Sequence, residues 1–166
     1  MQYVALSSFD KEACQPFFKR LTDLFHDHHH SDDQDASSYE ELLYKIRRPY
    51  TPEMLDMIDD WMGLGKREWK EETQREVLLS LYAIKYPDTL LIESLTDKAR
   101  SDVRRLSAYL HFTHHTYSIW DEDTRKGLSK LGIQIPSLEH ADPFVYGAYI
   151  SSIELLKDVA PFTCFL

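Results

Sequence analysis

An all-α fold, a single compact bundle of six or seven helices around a central helix near residues 94–120, follows from three features of the sequence. Apolar residues recur at gaps of three and four in segment after segment, which is the period of a helix. Cap residues, prolines and glycines border those segments in the places that start and stop helices. Glycine is scarce, 5 in 166 residues, and no Asn-Gly step marks a two-residue hairpin.

Met1 to Ser8 reads as an extended arm or a short edge strand. From about Phe9 the spacing turns helical, with Ala13, Phe17, Leu21, Leu24 and His28 on one face. Pro16 falls inside that pattern, so the helix begins or kinks there. The run HDHHHSDDQDASS (26–38) holds no apolar residue except Ala36 and is expected to be a loop or a frayed helix end. Ser38 and Glu41 have the spacing of a capping box, in which each side chain bonds the other's backbone N–H. Leu42, Leu43 and Ile46 follow, and Pro49 closes that short helix.

Thr51-Pro52 pairs an N-cap with a proline at the first helical position. The next helix turns Met54, Leu55, Ile58, Trp61 and Met62 inward, leaving Glu53, Asp56, Asp59 and Asp60 expected on its outer side, and Gly63 and Gly65 end it. From Lys66 to Pro87 a longer helix presents Trp69, Thr73, Val77, Leu81 and Ile84. The central stretch then carries Ala99, Val103, Leu106, Leu110, Thr113, Tyr117 and Trp120 at alternating gaps of three and four, with Ala108, Phe112 and Ile119 as a second ridge. Apolar on two sides, it is expected to be buried on two sides. A short amphipathic segment from Asp121 to Leu131 stops at Gly132, and QIPSLEHADP (134–143) is a loop. A final helix carries Val145, Ala148, Tyr149, Ser152, Ile153, Leu156 and Val159. Neither a repeat nor a long linker divides the chain, so residues 1–166 are expected to form one domain.

Composition narrows the partners. The formal charge is −9, which repels phosphate backbones and suits a basic protein partner. Nucleic acid is therefore disfavoured unless a local basic patch rescues it. Two cysteines, Cys14 and Cys164, without a spacing motif favour a reduced intracellular protein over a disulfide scaffold. The first residues lack the basic and apolar regions of a signal peptide, and no apolar run approaches the roughly 18 residues that cross a bilayer. A cytoplasmic protein without membrane contact is the expectation, and a homodimer is left open.

Three groups of side chains invite chemistry. His26 to His30, with Asp32, Asp33 and Asp35 close behind, supplies imidazoles and carboxylates, and His26 and His30 are an i,i+4 pair that could hold a metal on a helix. A polar stretch offers no shell to orient such ligands, so no cofactor is expected. His111 and His115 are a second i,i+4 pair, with His140 available from the later loop, but no Glu-x-x-His of the di-iron kind accompanies them. The third is Arg104 and His111, one face of the central helix. Their spacing resembles the Arg-x(4–6)-His motif of HEPN-type ribonucleases, small helical bundles that act as dimers. The resemblance covers two residues, and it implies an arginine and a histidine that position and protonate at the scissile phosphate.

No Gly-rich phosphate loop, Cys-x-x-Cys or nucleophile elbow is present. Size, charge, aromatic content of 13% and missing catalytic motifs together favour binding over catalysis. The expected function is an acidic inhibitor of the immunity-protein, antitoxin or phage counter-defence type, blocking a basic target by charge steering and occlusion. Asp56, Asp59 and Asp60, with Asp32, Asp33 and Asp35, are its expected contact residues. The alternative is an enzyme: a metal-dependent helical protein or the ribonuclease using Arg104 and His111.

Overall fold

The computed structural model describes residues 12, 15–16, 18–19, 33–83, 94–95, 102–130, 132–137 and 143–160. Among them six helices and no strand are found, an all-α arrangement. They are α1 (Asp33–Lys45), α2 (Pro52–Trp61), α3 (Glu71–Ala83), α4 (Val103–Thr113), α5 (Glu122–Lys130) and α6 (Pro143–Val159). α4 lies at the centre: α2 and α3 both pack on it, α1 packs on α2, and eight of its 11 residues are buried. The expected extended arm, the helix near Phe9–His28 and the stretch 96–101 fall largely or wholly outside the described residues.

α1 begins earlier than expected. Residues 33–37 are helical, although the polar run was expected to be a loop or the frayed end of the preceding helix, and Ser38 is an interior residue and not an N-cap. The Ser38 hydroxyl instead accepts from Trp61 Nε1 at 3.3 Å, pinning α1 to α2. α2 starts as its sequence signals require, with Thr51 Oγ1 accepting from Met54 N and Pro52 at the first position. Gly63 ends it at φ 64°, a conformation that side chains with a Cβ rarely adopt.

The expected central helix is shorter than its apolar stripe. Asp102 caps α4 by accepting from Arg105 N at 3.2 Å, and at His114 the backbone turns extended (φ −155°, ψ 111°). Tyr117 and Trp120 are buried as expected, yet they reach the core from a returning segment and not from a helix. Four bonds hold that segment against α4 and α6: Ser107 Oγ accepts from Trp120 N at 2.8 Å, Tyr146 donates to Ser118 O at 2.9 Å, Tyr149 donates to Ile119 O at 3.0 Å, and His111 Nδ1 lies 2.8 Å from Tyr117 O. Trp120 and Tyr149 also touch through their rings, centroids 4.6 Å apart. Ser107 is fully buried and donates its own proton to Arg104 O. Ser107→Ala is therefore expected to strand the Trp120 N–H and cost about 1–3 kcal/mol. Urea unfolding of the variant against the parent protein measures it.

α3 also starts later than Lys66. Residues 63–70 form a non-helical connector between α2 and α3, and the side chains that fasten it make the site described next.

Candidate functional site: a buried charge network beneath an acidic cleft

α2 carries apolar Leu55 and Ile58 into the core, and Asp59, four residues after Leu55, follows them onto the same face. Asp59 is only 3% exposed. The expectation that it projects outward with Asp56 and Asp60 is corrected. Its carboxylate meets two guanidiniums and a phenol: Arg67 Nη1 donates to Oδ2 at 2.7 Å, Tyr109 donates to Oδ1 at 2.7 Å, and Arg105 Nε lies 3.1 Å from Oδ1. The Arg105 Nε contact is an ion pair and not an aligned hydrogen bond. Arg105 also lies 3.3 Å from Asp102 Oδ2, so the residue capping α4 shares in the network.

The two arginines hold the connector. Arg105 Nη2 donates to Gly65 O at 2.6 Å. Arg67, itself in the connector, donates through Nη2 to Pro52 O at 3.2 Å and to Asp56 Oδ1 at 2.7 Å, and through Nη1 to the Tyr109 hydroxyl at 3.2 Å. One carboxylate on α2 thus ties the connector to α4. Burial raises the pKa of Asp59 above its ordinary value, against the pull of the Tyr109 hydroxyl, Arg105 and Arg67. For Arg67, burial acts downward, but the Tyr109 hydroxyl and the carboxylates of Asp59 and Asp56 outweigh it and the guanidinium is raised. With two guanidiniums in contact, Asp59 is ionised at neutral pH despite its burial cost. Tyr109 is raised well above an ordinary phenol, first by burial and then by giving its proton to Asp59.

Above the network lies an open cleft of about 490 Å³, lined by Pro52, Asp56, Asp59 and Asp60 of α2, by Leu64, Gly65, Lys66 and Arg67, and by Gln74 of α3. Asp56 and Asp60 are exposed on one wall and Lys66 is exposed on the other. Asp60 makes no side-chain contact among the described residues, whereas Asp56 is held by Arg67. Glu53 is exposed farther up α2. The cleft presents fixed charge and hydrogen-bonding groups. Its buried members are paired to one another, so the arrangement suits recognition better than proton transfer.

The other expected residues are dispersed. Asp33 and Asp35 fall in the first turn of α1, while Asp32, His26 and His30 lie outside the described residues. Arg104 is exposed on α4. His111 is half-buried at the far end of that helix with both ring nitrogens engaged, Nδ1 2.8 Å from Tyr117 O and Nε2 2.7 Å from the Tyr39 hydroxyl. The structure does not bring Arg104 and His111 into contact. Among the described residues, no group of three or more histidines, cysteines and carboxylates is placed to hold a metal ion.

Arg67, Arg105 and Tyr109 were not singled out by sequence. The one signal available was the position of Asp59, four residues from Leu55 and three from Met62, which is an inward position whatever its charge. No family model matches the chain, and neither a curated protein nor a solved structure matches it.

Proposed function

We propose that the protein is an acidic binding protein that occludes a basic protein target, of the immunity-protein, antitoxin or counter-defence type. The observation that carries this reading is the outer wall of α2. Glu53, Asp56 and Asp60 are exposed there, α2 itself carries no lysine or arginine, and Arg67 offsets only Asp56. Like charges on one short helix repel each other, a cost that a positive partner relieves. The network below supports the reading, because it fixes the cleft before any partner arrives, and a preformed surface loses less entropy on binding. Charge steering then sets the rate of encounter and the cleft sets the fit.

No helix among the described residues is long and apolar enough to cross a membrane, so α2 and its cleft are read as a surface for a water-borne partner.

The test is a comparison of the parent protein with Asp60→Lys and with Glu53→Lys/Asp60→Lys, which leave Asp59 and Asp56 in place. Both variants should fold, since the replaced side chains are exposed. Equimolar capture of one basic protein by the parent chain, with association slowed by each reversal at low salt and the difference closing as salt rises, is the expected result. Capture of the same protein at the same rate by all three chains would remove α2 from the interface. Capture of nothing basic would remove the function.

A further inference from the structure

Apart from the charge network, one polar relay ties three separate parts of the chain together. Tyr39 of α1, His111 of α4 and the backbone of Tyr117 in the returning segment are joined through a single imidazole. The partners fix its tautomer. Tyr117 O can only accept, so Nδ1 carries the proton, and Nε2 accepts from the Tyr39 hydroxyl. We infer that this relay is an acid-sensitive clasp: the neutral His111 ring fastens α1 to α4, and protonation of Nε2 loosens α1.

The elements around the ring offer little to a positive charge. Once Nε2 carries a proton, it points an N–H at a hydroxyl that had been donating to it. The Tyr39 hydrogen must then swing away and find another acceptor. α4 supplies His115, its ring centroid 5.3 Å from that of His111, and α6 supplies Lys157, and both oppose a positive charge there. α2 supplies the uncharged Trp61, which packs on Tyr39 at 5.6 Å, and α4 adds Phe112 at 5.5 Å from the histidine ring. On α6, Lys157 is itself paired with Glu154 at 2.7 Å. Burial chiefly lowers the pKa of His111, against the upward pull of the Tyr117 carbonyl, and His115 and Lys157 act in the same direction as burial.

The sign follows from that direction. An unfolded histidine titrates near 6.5, so between that value and the lower folded one the open chain holds more protons than the closed one. The clasp is at full strength above about pH 6.5 and weakens as the pH falls through that value towards the folded one. α1 is the element that responds, because Tyr39, the hydroxyl partner of the ring, stands on it. Loosening α1 uncovers Trp61 and Phe112, the two rings that Tyr39 covers.

Amide hydrogen exchange, corrected for intrinsic rates, reads the clasp directly at about pH 7.5 and pH 5.5, on either side of the imidazole range. Protection in α1 should fall several-fold, up to about tenfold per pH unit, while α3 stays unchanged. His111→Gln, neutral throughout, should abolish the pH dependence. Tyr39→Phe keeps the ring packing and removes the hydroxyl, so it should weaken α1 already at the higher pH and flatten its response. In the parent protein, the His111 ring observed by NMR should titrate over the interval in which α1 loses protection, a result that does not depend on either variant folding. Equal protection of α1 at both pH values would overturn the inference. So would an undiminished response in His111→Gln, or a ring that titrates elsewhere.

Discussion

Asp59→Ala is expected to lower the free energy of unfolding by about 3–5 kcal/mol. The carboxylate is 3% exposed, and removing it leaves two guanidiniums facing each other in a low-dielectric interior. Arg67 and Arg105 have side chains only 5% and 9% exposed, so water cannot replace what the aspartate supplied. The Tyr109 hydroxyl loses its acceptor in the same step. Asp60→Ala, one residue along, is the control. Its side chain is exposed without a partner among the described residues, and the change should stay within about 0.5 kcal/mol. Urea unfolding of the two variants side by side separates a structural charge from a surface one. The same comparison explains why reversing Asp59 to lysine would probe folding and not binding: a third cation would enter the network.

Leu110→Ala should cost about 2–5 kcal/mol. Leu110 is 1% exposed near the middle of α4, within the apolar core. Truncation removes three methyl-sized groups and leaves a void whose walls are helices held by neighbouring contacts, so the void does not simply close. The size of the loss within that range reports how far α4 can shift, and thermal unfolding measured under matched conditions gives it. A loss below half a kilocalorie would place Leu110 outside the core.

The helices with clear borders were legible in the sequence. α2 announced itself through Thr51-Pro52 and Gly63, and α5 ended at Gly132, which adopts φ 84°. Two borders were not legible, for opposite reasons. The start of α1 has only Ala36 as an apolar residue, too little of a pattern to signal a helix. The end of α4 is masked by a coincidence: Tyr117 and Trp120 continue the apolar period although the chain leaves the helix at His114. Both residues are apolar because they line the core, and a sequence pattern records burial, not the backbone path that achieves it.

The charge network was hidden more deeply. Asp59 sits among Asp56 and Asp60, and residue type alone groups the three together. Arg104 and Arg105 are neighbours of identical chemistry, yet one is exposed and the other is 7% exposed. Only the packing of α2 on α4, and the course of the connector over both, distinguishes them. Arg67 stands in Gly-Leu-Gly-Lys-Arg-Glu, a stretch with no periodicity to read.

Asp59 is joined to the arginines inside the protein and so holds the cleft in place. A double-mutant cycle of Asp59→Ala and Arg105→Ala, followed by urea unfolding, tests it most directly. Each single change removes one partner and leaves the other buried, while the double change removes both. The double variant should lose less than the sum of the singles, with a coupling of about 1–3 kcal/mol. Losses that add to within about 0.5 kcal/mol would contradict it, since independent sites add in that way.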